Sequence, residues 1–166
     1  MPTIKVSLNA KSIDKAIKEL EAYKKSIPKK LDILCQRLAA IGATNVSLGY
    51  SRAVYTGKKD VDVSVEKTQN GYAIVAEGET VLLLEFGSGA TYGYGHPKPE
   101  VDGVHMGPGT YPDGKGHWDD PKGWWTPSAA GGEHTYGNPP SAAMYQTAKD
   151  LRDIILDIAK EVFASD

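Results

Sequence analysis

The sequence predicts an α+β domain. Three observations carry this: helical apolar periodicity over residues 13–41, a valine-rich alternating stretch ending in Asn70-Gly71, and a second long amphipathic stretch at the C-terminal end. At 166 residues the chain has the length of one domain, 1–166. Its expected parts are a core of 1–86 and 138–166 and an extended arm, 87–137. The predicted core is a small antiparallel sheet packed by N-terminal helices and a long C-terminal helix.

Ile4, Val6 and Leu8 alternate with Thr3, Lys5 and Ser7, the pattern of a short strand with one buried face. Ser12 is placed to cap a first helix along which Ile13, Ala16, Ile17, Leu20 and Tyr23 recur. Pro28 has no amide proton and restricts Ile27, so a break is expected there, with a second helix opening after it. Leu31, Leu34, Cys35, Leu38 and Ile41 mark that helix, which fades near Gly49. Cys35 lies on its apolar stripe and reads as a small buried hydrophobe.

Val61, Val63 and Val65 then alternate with Asp60, Asp62, Ser64 and Glu66, and Tyr72, Ile74 and Ala76 return after Asn70-Gly71. Asn and Gly both tolerate positive φ, which makes that pair a strong hairpin signal. Residues 79–86 contain the run Val81-Leu82-Leu83-Leu84-Glu85-Phe86, which fits a central strand or a short buried helix equally. Glu85 is the one acid inside it, expected either buried and paired at an interface or pointing outward from a strand. At the far end Asn138 is a candidate helix cap, with Pro139 or Pro140 in the first turn. Met144, Ala148, Leu151, Ile155, Ile158 and Val162 form the stripe, and Ile154 and Leu156 widen it.

Residues 87–139 differ from the rest. They hold 13 of the 18 glycines, all three tryptophans and all four histidines, while Val101 and Val104 are their only residues among Ile, Leu, Val and Phe. A 53-residue stretch without periodicity far exceeds an ordinary long loop of about 12–15 residues. Its aromatics are too many for a disordered tract. The composition therefore predicts an arm that orders by packing Tyr92, Tyr94, Trp118, Trp124, Trp125 and similar rings on its own domain or on a neighbouring subunit.

Several functions are disfavoured by the residues present. One cysteine excludes an intramolecular disulfide framework and a Cys-rich zinc site. Apolar runs fall short of a membrane span, and the N-terminal residues lack a signal peptide's apolar region, so a cytoplasmic site of synthesis and no membrane partner are expected. The net charge is −2, with +3 over 1–86, −3 over 87–139 and −2 over 140–166, which gives no basis for specific nucleic-acid binding. Gly87, Gly89 and Gly93 have the wrong spacing for a dinucleotide loop, so no cofactor is expected. His96, His105, His117 and His134 match no standard ligand spacing, and no nucleophile elbow occurs, so neither a metal site nor a catalytic residue is assigned. Two alternatives stay open: a metal-dependent hydrolase using the His-rich arm, and a carbohydrate-binding module stacking sugars on Trp124-Trp125.

Glu85-Phe86-Gly87-Ser88-Gly89, the arm with Gly123-Trp124-Trp125, and Gly137-Asn138-Pro139-Pro140 entering an Ala/Met-rich helix together resemble one family. It is the tail-completion family (neck or minor tail component) of siphophages and their prophages. In that family an EFGTG element ends the small sheet, a variable arm often containing GWW follows, and a Pro-Ala-Pro-Phe-Met element starts the last helix. Here Ser88 stands for the usual Thr. Ser141-Ala142-Ala143-Met144 replaces the Pro-Phe-Met start and lacks its aromatic anchor.

The resemblance implies a structural virion protein without enzymatic activity. Its expected place is the head–tail junction, after assembly in the bacterial host cytoplasm. Its expected partners are further copies of itself in a ring, a hexamer among the options, and neighbouring phage neck or tail proteins. Glu85, Tyr92, Tyr94, Trp118, Trp124 and Trp125 are the partner-contact candidates. A closed ring requires a heterologous interface, and a glycine- and aromatic-rich arm suits one.

Overall fold

The computed structural model describes residues 6–92, 96–97, 120–126 and 132–164. The described chain is α+β: α1 (Ala10–Arg52), β1 (Asp62–Thr68), β2 (Gly71–Glu77), α2 (Val81–Phe86), α3 (Gly89–Tyr92), β3 (Trp124–Thr126), β4 (Glu133–Thr135) and α4 (Ala143–Ala164). β1 pairs antiparallel with β2 and β3 with β4, forming two separate two-stranded sheets. No described helix is long and apolar enough to cross a membrane.

The expected N-terminal strand does not form over residues 6–9, and Ile4 lies outside the described residues. The chain instead winds into a helix cap. Asn9 is the N-cap, its side chain accepting from the Ser12 N–H at 2.9 Å, and the Ser12 hydroxyl accepts from the Ser7 N–H at 2.8 Å. The helix thus starts before Ser12, because Asn at this position satisfies a first-turn amide directly.

The break expected at Pro28 is absent, and α1 runs through it for 43 residues. An internal proline costs about 3 kcal/mol through one lost i→i−4 bond and a steric clash. Ile13, Leu20, Ile27, Leu34 and Ile41 keep one seven-residue spacing across it. Beyond the proline, Leu34, Leu38 and Ile41 pack with Ile154, Ile158, Val162 and Phe163 of α4. At about 1.5–3 kcal/mol per buried aliphatic side chain, that packing outweighs the defect. Cys35 is half-buried, short of the full burial expected.

α1 and α4 lie antiparallel. Gly49 faces Ala143, Gly42 faces Thr147 and Leu151, Arg37 bonds Glu161 at 2.9 Å, and Lys30 reaches the Phe163 carbonyl at 3.4 Å. The hairpin covers the C-terminal half of α1. Val61, Val63, Ile74 and Ala76 pack on the core of Val46, Tyr50, Leu84 and Ala143. Val63 opposes Ala76 and Val65 opposes Ile74, as the alternation predicts. The turn residues are Gln69 and Asn70, one position earlier than the Asn70-Gly71 pair. Gly71 takes positive φ (149°), whereas Asn70 does not. Residues 81–86, readable either way from sequence, form a helix.

Candidate functional site

The motif that carries the family resemblance joins α2, α3 and the start of α4. Within α2, Leu84 and Glu85 are buried. The backbone of this segment runs against residues 138–142. Ser141 N–H donates to Leu84 O at 2.8 Å, Ala142 N–H to Glu85 O at 3.1 Å, and Ser88 N–H to Asn138 O at 2.9 Å. Asn138 is buried; its amide donates to Leu83 O at 2.8 Å, and its Oδ1 accepts from the Ser88 hydroxyl at 2.6 Å.

These bonds correct the cap assigned to Asn138. Its side chain is spent on α2 and the Gly-Ser-Gly turn, and α4 starts only at Ala143, with Pro139 and Pro140 ahead of it rather than in its first turn. The cap comes from Glu85. Oε2 accepts from the Met144 N–H at 3.0 Å and Oε1 from the Tyr145 N–H at 3.1 Å. These are amides of the first turn, which no intrahelical carbonyl serves. The carboxylate also sits at the positive end of the helix dipole.

Two further groups converge on Glu85. The Tyr50 hydroxyl donates to Oε2 at 3.1 Å, and His96 Nε2 lies 3.5 Å from Oε1. The His96 ring is buried against Phe86 (centroids 4.8 Å apart) and edge-on to Tyr145 (5.5 Å). A residue from the expected arm is thereby lodged in the core. Glu85 is 6% exposed, so of its two readings it takes the buried one, and the partners described are its own chain's hydroxyl, amides and imidazole. Sequence spacing did not reveal this cap, because its donors lie 59 and 60 positions away. The one legible signal was an acid inside an apolar run.

Burial, then the charge of Glu85 and the hydrogen bond to it, hold the Tyr50 phenol well above its ordinary value of 10. A group whose pKa is raised on folding contributes its stability fully below the unfolded value and loses it as pH rises past that value. Stability should therefore decline above about pH 10 as the unfolded chain ionises first. In Tyr50→Phe this contribution to the decline disappears, and about 1.5–3 kcal/mol is lost at neutral pH with the hydrogen bond to a charged acceptor. Urea midpoints measured across the alkaline range check both effects.

The other candidates separate. Trp124 is 5% exposed and packs over Gly89, whereas Trp125 is 42% exposed, because successive strand residues point to opposite faces. Trp125 meets His134 edge-on at 5.3 Å, and His134 meets Tyr136 at 5.0 Å. The two tryptophans do not form one stacking platform. Tyr92, on α3, is exposed. Tyr94, Trp118, His105 and His117 lie outside the described residues. Among the described residues no three His, Cys, Asp or Glu side chains gather as metal ligands. Gly89 opens the single-turn α3, inside the stretch that shows no periodicity in the sequence.

Comparison of this chain with protein-family models, with curated proteins and with solved structures finds no match.

Proposed function

We propose that this chain is a non-enzymatic structural subunit of a tailed-phage particle, acting in tail completion at the head–tail junction through subunit–subunit contacts. One observation carries the reading. The Glu85–Gly89 element, one of the three segments that together resemble the tail-completion family, has its polar groups committed to holding the last helix and the arm root together. A carboxylate bonded to two helix amides and a phenol is built for positioning, and Trp125 and Tyr136 of the arm are exposed. In this reading the partners are further copies of the chain and neighbouring neck or tail proteins, and the product is a virion component made in the host cytoplasm. It uses no cofactor.

The test is particle completion in a lysogen whose prophage has lost this gene and receives it back on a plasmid. Residues 98–119 are replaced by a Gly/Ser linker of equal length, which leaves His96 and Trp124 in place. The expected result is a folded protein with an unchanged melting transition, and separate heads and tails in electron micrographs. Joined, infectious particles in the strain without the gene would overturn the reading.

A further inference from the structure

We propose that the N-terminal half of α1 is a docking element that seats on the acidic body of a second copy of this chain. This rests on the reading of the chain as an assembling subunit and names one of its contact surfaces. The 43 residues of α1 span about 65 Å and the 22 of α4 about 33 Å. The antiparallel contacts with α4 run from Gly49, beside Ala143, to Lys30, beside Phe163. About 30 Å of helix therefore extends past the end of α4.

The seam does not end with α4. Ile13, Leu20 and Ile27 continue the seven-residue spacing of Leu34 and Ile41, so the stripe that α4 covers carries on along the same face. Ile13, Ile17 and Leu20, flanking the buried Ala16, remain 42%, 48% and 56% exposed. Three large aliphatic residues on one helix face, in line with a covered seam, form an interaction surface.

Charge selects the occupant. Residues 10–30 hold seven lysines against three acids, a net +4. The whole chain is −2, so the remainder carries −6. The overhang of one copy is thus complementary to the body of the next and repelled by another overhang. That asymmetry makes the contact heterologous, the type that can close a ring.

Sedimentation velocity of the full chain, over a range of concentrations at low and high salt, tests this. The wild type is expected to associate with rising concentration, and less so at high salt because the attraction is screened. The triple variant Ile13→Gln, Ile17→Gln, Leu20→Gln is expected to lose the associated species and sediment as a monomer. Circular dichroism should show its helix content unchanged, since all three side chains are exposed. Lys18→Glu with Lys25→Glu should weaken association at low salt. A monomeric wild type at every concentration, undiminished association of the triple variant, or association strengthened by salt would each overturn the proposal. None of these bears on the particle-completion assay, so the two failures are distinguishable.

Discussion

Glu85→Ala is expected to cost about 3–5 kcal/mol, the range for removing one partner from a buried charged cluster. For a chain of this length that lowers the melting temperature by on the order of 10 °C. The loss has two sources. The Met144 and Tyr145 amides and the Tyr50 hydroxyl all donate to this carboxylate. In the alanine variant each is left without it in a protected site, at about 1–3 kcal/mol for a buried unsatisfied group. The favourable interaction with the α4 dipole, about 0.3–1 kcal/mol and more where partly buried, goes as well. Glu85→Gln keeps two oxygen-sized positions but only one acceptor and no charge, so its cost should be roughly half. Urea unfolding gives both values. Amide hydrogen exchange adds a local readout: protection at Met144 and Tyr145 should fall more than at Ile158, deep in the α1–α4 packing. If the alanine variant were as stable as wild type, the long-range cap could not be what holds the start of α4.

The sequence makes some of this architecture readable and hides the rest for definite reasons. The β1–β2 hairpin is legible because Val63 and Val65 lie on one face and their partners Ala76 and Ile74 recur with the same period of two. Its turn falls one residue early because Gly71 alone supplies the positive φ. The single α1 was misread as two helices because the proline penalty is local, whereas the packing that overrides it comes from α4, more than a hundred residues away. The strand expected at Ile4–Leu8 had three alternating residues and no identified neighbour, and Asn9 and Ser12 had a local capping solution instead. The candidate site follows the same division. That an acid stands alone among Val81–Phe86 was legible, while two of its donors, backbone amides in a distant helix, leave no mark on residue identity. The Trp124-Trp125 pair looked like one feature, and the strand period places its members on opposite faces.

Gly87→Ala in the Gly-Ser-Gly turn should cost about 3 kcal/mol. Gly87 ends α2 with φ 77° and ψ −176°, a backbone region essentially reserved for glycine, where an L residue pays about 1–3 kcal/mol. Its surroundings add to that. A Cβ there would lie 2.7 Å from the Asn138 carbonyl oxygen and 2.8 Å from the Pro140 nitrogen. Both are backbone atoms of the segment that pairs with Leu84, Glu85 and Ser88, so relief requires pulling residues 138–142 away from α2. That shift would draw the first turn of α4 off the Glu85 carboxylate, coupling the loss to the cap. Gly71 provides the control: its φ is 149°, yet nothing lies within 4 Å of the position a Cβ would take. Gly71→Ala therefore carries backbone strain without collision and should cost about 1 kcal/mol. The difference between the two variants, read from urea midpoints at constant m-value, isolates the close approach of the two segments. Equal losses at the two sites would mean that residues 138–140 yield freely to the added methyl group.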